Sequence, residues 1–456
     1  MFVKLSIGII GAWTLIWSVK TLKGMSLEED IAALRADDLE TFVALRGMHL
    51  ERHTVITIDH WRLEIHRIRN KHIYNETLSS PVMLSHGFGA SSVDFMVNLR
   101  NESLAFILAD SGFDVWAVNY RANRFSNMKS VDGKLRVPNS EDFYRVTWQY
   151  MAERDVPVIL DKILGHTKQN RIHIIGQSMG STVLSAFLSE NHAYDGKIGH
   201  LVAISPVMRF GEDTSSYIKT LFRMTRALPK VAKGPLFPLV FGEPLYPVTS
   251  RITPLTDYWR TATCRLIPSL CRYISDFLFQ TDFKSTIAGD PHLKKERMSL
   301  YLMKFPSGAT MMNLYHFAMQ FGRSPWTKMD YRKIPSTGIS NRGEYSRDAP
   351  PAYDFSAINV SISAHFVKND VFFGSRTAKS IVNMLDLRER DVQFVDGNGL
   401  NHIDTVWGWD ARCFLYDDII ERLNRAELSR SLSHRIYRTQ RVETHLRSLD
   451  FEKACS

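Results

Sequence analysis

Ile172-His173-Ile174-Ile175-Gly176-Gln177-Ser178-Met179-Gly180-Ser181-Thr182-Val183-Leu184 is the stretch whose reading decides the fold. Ile172–Ile175 is short, apolar and β-branched, as a buried strand should be. Ser181 to Leu188 has the character of a helix. Between them lies Gly-x-Ser-x-Gly. A serine on so sharp a strand-to-helix turn needs glycine two residues to either side, because side chains there would collide with the neighbouring strand and helix. The same five residues without chemistry would be a glycine-rich helix cap, so the surrounding pattern must choose.

Working outward, Thr54–Ile58 and Trp61–Ile68 alternate around Asp59-His60 as a hairpin would. Pro81–Ser85, Phe113–Val118 and Leu201–Ser205 are further short apolar runs. Helical patterns over 104–110 and 148–164 separate them. Apolar strands alternating with helices imply an α/β protein with a mostly parallel sheet covered on both faces. The rhythm stops near residue 207 and resumes at Val360–Val367 and Asp391–Val395, and a helix from about Cys413 to Leu423 closes the domain. The expected organisation is therefore a core over 45–206 and 346–425, interrupted by a helical cap and lid insertion over 207–345. Residues 25–44 form a polar, acidic linker or N-terminal helix, and 426–456 a polar tail. No repeat or low-complexity tract is present.

A serine hydroxyl is a poor nucleophile until a histidine takes its proton, and that histidine needs a carboxylate to fix its tautomer. The expected order is serine, acid, histidine, each at the carboxyl end of a strand. Asp370 follows the strand ending Phe366-Val367, and His402 lies on a glycine-containing loop after 392–395. Asp386, Asp391, Asp396 and Asp404 are the competing acids; two lie in or after a helix and two crowd the histidine loop. Two backbone amides must hold the oxyanion. Met179 supplies one, and Phe88 in His86-Gly87-Phe88-Gly89 is the candidate for the other, although His86-Gly87 alone could be a simple turn.

The chain resembles the acid lipases, the gastric and lysosomal group of α/β-hydrolases, from about Asp38 to Asn424. The carriers include Glu51–Thr57, Ser85-His86-Gly87-Phe88-Gly89-Ala90-Ser91-Ser92, Asn101–Asp110, Met151–Pro157, Pro350–Tyr353 and Asn401-His402-Ile403-Asp404 with Trp407-Gly408. The resemblance implies an α/β-hydrolase fold, a cap with a mobile lid, and hydrolysis of triacylglycerols or cholesteryl esters in an acidic or digestive lumen. This chain departs from the family in having Gln177 and Met179 beside the serine where His and Gln are usual. Lys368-Asn369 replaces glycines before Asp370, and Ala122 replaces a glycine in Asn119-Tyr120-Arg121-Ala122-Asn123. Those changes bear on substrate choice and pH optimum.

The composition fits this reading. The chain has 456 residues, 44% hydrophobic and 23% charged, which excludes a disordered or small disulfide-stapled protein. Its net charge of +9 comes from 57 basic and 48 acidic residues without a concentrated stripe, so a nucleic-acid partner is not expected. Lys4 and Lys20 bracket an uncharged run, Leu5–Val19. That run is shorter than the about 20 residues needed to span a bilayer, which suits a signal peptide over 1–24. A retained signal-anchor and a buried apolar helix stay open. Sequons at Asn75, Asn101 and Asn359 agree with a lumenal route to secretion or the lysosome. Cys264 and Cys271 could form a local disulfide there, or stay buried thiols; no metal or organic cofactor is expected.

The expected activity is hydrolysis of neutral-lipid esters through an acyl-enzyme, at a membrane or droplet interface. Residues 218–228 mix apolar and basic side chains at helical spacing, which fits either an interfacial lid or an ordinary cap helix. Two alternatives remain: an esterase of the same fold acting on retinyl, wax or small esters, and a catalytically silent lipid-binding protein. Nothing in the sequence fixes the oligomeric state.

Overall fold

A computed structural model describes residues 27–70, 80–242 and 297–436. The described strands form one sheet in the order β10-β9-β8-β7-β3-β4-β2-β5-β6, with β1 paired to β2. They are β1 (Met48–Ile56), β2 (Trp61–Asn70), β3 (Pro81–Ser85), β4 (Asp114–Val118), β5 (Met128–Val131), β6 (Lys134–Arg136), β7 (Ile172–Gln177), β8 (Ile198–Ile204), β9 (Ile362–Val367) and β10 (Val392–Val395). From β10 to β4 all neighbours run parallel, whereas β1, β2, β5 and β6 are antiparallel. Strands β3, β4, β7 and β9 are buried at every position. That is why they read as apolar runs instead of alternating ones.

Successive residues of each strand enter opposite cores, as a two-residue period requires. Met83, Trp116 and Ile174 pack with Val156, Ile159, Leu160 and Ile163 of the helix Val156–Thr167 and with Val183, Leu184 and Phe187 of the helix Met179–Glu190. Leu84, Val115 and Ile175 face the other way, onto Phe42, Leu104, Phe106 and Ile419. The helical stretch expected over 148–164 is present, but Met151–Asp155 widens into a π-turn.

Two expectations change and one is narrowed. Of the two alternatives for the acidic segment before residue 45, linker or N-terminal helix, the structure has the helical one. Leu27–Arg35 and Leu39–Ala44 are helices, and Ile31, Leu34, Leu39, Phe42 and Val43 are buried. The buried Asp30 receives Arg46 at 2.8 and 3.1 Å and Arg297 at 2.9 Å. At the other end, the closing helix continues over Asp417–Ile436, past the expected boundary at 425. Asp418 and Glu427 bond His365 and His173 beneath the sheet, both at 2.8 Å, while Ile419 and Leu423 enter the second core. The insertion is also not wholly separate from the core. Val207, Met208 and Phe210 belong to the first core, and Leu300, Tyr301 and Met303 to the second. Among the described residues a smaller cluster, including Phe237, Phe241, Met312, Tyr315 and Tyr331, is drawn mainly from the cap, with Tyr144 joining it from the core.

Ala122, the departure from glycine, sits at φ +60°. Strain there costs an L-residue about 1–2 kcal/mol. Burial of its methyl, worth about 0.8 kcal/mol, and the lower unfolded-state entropy of alanine, about 0.5–1 kcal/mol, offset most of that.

The segment Leu5–Val19, the sequon at Asn75 and the pair Cys264–Cys271 lie outside the described residues. Asn101 and Asn359 are exposed. Cys413 is disulfide-bonded, and its partner is likewise outside the described residues.

Candidate active site

The turn after β7 is sterically closed to any residue but glycine at two positions. A Cβ on Gly180 would lie 2.1 Å from the Ser85 carbonyl oxygen, and one on Gly176 would lie 2.5 Å from the Ser181 nitrogen. With both glycines in place, Ser178 is held at φ +55°, ψ −120°, a conformation L-residues rarely adopt. Strain of this kind persists only where the surroundings over-determine it, and it concentrates at functional sites.

β9 and β10 carry the two expected partners. His402 Nδ1 lies 2.6 Å from Asp370 Oδ2, and the other Asp370 oxygen accepts the Phe372 amide at 2.9 Å. With the carboxylate ionised, Nδ1–H donates to it, so Nε2 is the nitrogen left to accept a proton. The Phe372 ring packs on the imidazole at 4.5 Å. Three competing acids are engaged elsewhere: Asp391 with Arg388, Asp396 with Lys368, and Asp404 with the Asn401 amide. Asp386 follows the helix Ser375–Met384. Ser178 and His402 line the same cavity, although among the described residues no hydrogen bond joins them. Catalytic contacts often tighten only when substrate is bound.

Phe88 lines that cavity, and Met179 directly follows Ser178, which lines it too. Met179 opens the helix Met179–Glu190, so its N–H has no intrahelical acceptor. The Phe88 loop is set by His86, whose Nδ1 donates to the Gly87 carbonyl at 2.8 Å while Nε2 accepts the Tyr120 amide at 3.3 Å. Acceptance at Nε2 requires a neutral ring with its proton on Nδ1. Burial agrees, pushing the imidazole down to about 4. The Met179 side chain points into the protein, where the Asn313 amide meets its sulfur at 3.1 Å.

Two residues of the site were not assigned a role from sequence. Gln177 reaches the His402 carbonyl at 3.4 Å and Thr405 Oγ1 at 3.3 Å, and Thr405 itself bonds that carbonyl at 2.7 Å. Gln177 therefore ties the histidine loop to the serine turn, and its departure from the family residue was the available signal. Replacing Gln177 with Ala should lower kcat about tenfold with little change in KM, the worth of one or two modest hydrogen bonds; an unchanged kcat would show that the tether is idle. Asp94 also lines the cavity, accepting Trp407 Nε1 at 3.0 Å and the Ser91 amide at 2.7 Å. Burial pushes its carboxyl up to about 6.

The cavity encloses about 130 Å³ and is walled mainly by apolar side chains, among them Phe88, Phe305, Val371, Phe372 and Trp407. Tyr217 and Ile218, from the helix Ser216–Val231, complete it from the cap. Elsewhere Glu51, His53 and His166 come within metal-ligating reach of one another. Although burial pushes Glu51 up, Arg67 and Arg69 outweigh it and hold the carboxylate at about 2, leaving little basis for a cation there.

A parallel sheet with a strained serine between β7 and its helix, and an acid and a histidine after later strands, defines an α/β-hydrolase. In agreement, residues 80–260 match the model of the alpha/beta hydrolase fold, and residues 39–99 match a partial alpha/beta-hydrolase lipase region. The chain is 27% identical over 394 residues to human gastric triacylglycerol lipase, covering 85% of this chain and 91% of that one. It is 29% identical over 395 residues to mouse lipase member K, with coverage of 85% and 91%, and 26% identical over 386 residues to Drosophila melanogaster lipase 3, with coverage of 84% and 91%. Over most of its length the chain is thus similar to the acid lipases.

Proposed function

We propose that the chain hydrolyses esters of neutral lipids, such as triacylglycerol or cholesteryl ester, through an acyl-enzyme. His402 Nε2 takes the proton from Ser178 Oγ as the oxygen attacks the ester carbonyl, and Asp370 keeps the ring in the required tautomer. The Phe88 and Met179 amides receive the oxyanion. His402 then protonates the departing alcohol, and a water activated by the same ring releases the fatty acid. The observation that carries this reading is the Asp370–His402 pair set beside the strained Ser178 in one apolar cavity.

The space available, about 130 Å³, is below the about 300–1,000 Å³ usual for ligand pockets and leaves no room for a long acyl chain. Entry of such a chain requires Tyr217 and Ile218 to withdraw, and with them the helix Ser216–Val231. That helix turns Ile218, Phe222 and Thr225 inward and exposes Arg223, Met224, Arg226, Lys230 and Val231. It suits a lid that exchanges protein contacts for a lipid surface. Similarity to gastric triacylglycerol lipases favours this substrate class over retinyl, wax or small esters. The exposed Asn101 and Asn359, the disulfide at Cys413 and the run Leu5–Val19 favour a secretory route, with glycans at the sequons, Asn75 included. None of the described helices is long and apolar enough to cross a membrane.

Triolein, cholesteryl oleate and p-nitrophenyl butyrate separate the readings. The expected result is turnover of emulsified long-chain ester, lost when residues 215–242 are shortened while the soluble ester is still cleaved. Cleavage of the soluble ester with neither lipid touched would overturn the lipase assignment.

A further inference from the structure

Strand β2 is longer than the sheet it serves. Its second half, Ile65–Ile68, pairs with β4, and Ile68 packs into the second core. Its first half runs past the end of β4, where Trp61 and Arg62 pair with β5 instead. Together β1, the start of β2, β5 and β6 make an antiparallel flap beyond the helices. Opposed residues of an antiparallel pair share a face, and so do residues two apart along a strand. One face of the flap holds Trp61, which is buried in the first core.

Among the described residues nothing covers the other face. Ile56 pairs with Arg62 and Arg62 with Met128; two residues along, Ser130 pairs with Leu135. Val137 continues this face just past β6, and Ile58 stands at the tip of the neighbouring turn. Ile56, Ile58, Leu135 and Val137 are 53%, 82%, 56% and 71% exposed. Apolar side chains gathered on one uncovered face mark an interaction surface.

This face is continuous with the proposed lid. Val137 leads into the helix Ser140–Phe143, on which the helix Leu236–Phe241 rests: a Cβ on Gly242 would lie 2.5 Å from Ser140 Cβ, and the rings of Tyr144 and Phe237 are 5.5 Å apart. Leu236 and Leu239 of that helix are themselves 48% and 70% exposed. Arg62 shares this face; Lys134 and Arg136 alternate with Leu135 and Val137 and are exposed at the hairpin's rim, from its opposite face; Lys230 and Lys233 stand by the lid, against Asp132 and Glu141, while Lys129 and Asp142 are paired with each other.

We propose that the β5–β6 hairpin and the β1–β2 turn form a second lipid-docking element, which seats the chain on an anionic lipid surface beside the lid. The proposal rests on the lipase reading for its purpose but not for its test. Exposed apolar side chains enter the interfacial layer while lysines and arginines meet anionic headgroups.

The test is co-sedimentation of the full chain with phosphatidylcholine vesicles, with and without phosphatidylserine, alongside turnover of p-nitrophenyl butyrate. L135D/V137D should lower partition about tenfold or more with turnover of the soluble ester unchanged. K134E/R136E should lower partition only on the phosphatidylserine vesicles. Unchanged partition of L135D/V137D would overturn the proposal, as would a wild-type chain that does not sediment with either vesicle. A chain that binds vesicles through the hairpin yet cleaves no ester would refute the lipase reading and leave the docking surface standing.

Discussion

Ser178→Ala is expected to lower kcat/KM for ester hydrolysis by roughly 10⁴-fold or more, with the fold intact. Removal of the nucleophile leaves only what binding and the oxyanion donors contribute, and the rest of such an assembly cannot compensate. The side chain supports no packing that alanine would lose. The turn is held by Gly176 and Gly180 against the Ser181 and Ser85 backbones, and the Ser178 amide bonds the Ile204 carbonyl at 2.9 Å. Asp370→Asn tests the same machinery from the other end. An amide there can accept from Nδ1–H only in one flip state and otherwise presents N–H to the ring, favouring the wrong tautomer, so a loss of roughly 10⁴-fold in kcat is expected. Steady-state kinetics on a soluble ester, with circular dichroism to confirm folding, checks both. Residual activity within tenfold of wild type for either would contradict the assignment.

Stability should fall steeply in acid. His66, His86, His200, His316 and His365 are all buried, and burial lowers the pKa of each. His86 and His200 are pushed down to about 4 and His316, stacked on Trp148 at 4.2 Å, to about 3. Each folded-state value lies below the unfolded one, so the unfolded chain binds protons first. The stability these groups contribute is complete above about pH 6.5 and is lost as pH falls toward the folded values. At pH 4.5 those three sites together cost roughly 8 kcal/mol relative to pH 7.5, at about 1.4 kcal/mol per pKa unit. Asp94, whose folded value is raised, gains stability over the same range and returns about 2 kcal/mol. A net loss on the order of 5 kcal/mol is comparable with the whole stability of a typical domain. Denaturant midpoints of the full chain at the two pH values measure it. A midpoint at pH 4.5 equal to or above that at pH 7.5 would refute the prediction, and the loss itself would argue against long residence in a strongly acidic lumen.

The parts of this molecule legible in sequence are those where one local pattern has one physical solution. Ile172–Gly180 forces a strand and a strained turn, because Gly176 and Gly180 leave no room for a Cβ. Asp370 and His402 were found because catalysis fixes their order along the chain, and the structure brings them to 2.6 Å. The N-terminal helices were obscured by acidic residues, one of which, Asp30, is buried and makes sense only beside Arg46 and Arg297, 16 and 267 residues away. The helix Asp417–Ile436 was cut short for a similar reason. Its polar residues looked solvated, yet Asp418 and Glu427 have histidine partners on distant strands. The β5–β6 hairpin was missed because Lys134, Leu135 and Arg136 are all exposed and carry no inside-outside pattern.

The central claim is that Ser178 is a nucleophile activated by His402, and a fluorophosphonate probe interrogates it directly. Mass mapping of the labelled chain should place a single adduct on the peptide containing Ser178, with none formed on folded Ser178→Ala and greatly slowed formation on His402→Ala. An adduct at another serine, or undiminished labelling of Ser178→Ala, would contradict it.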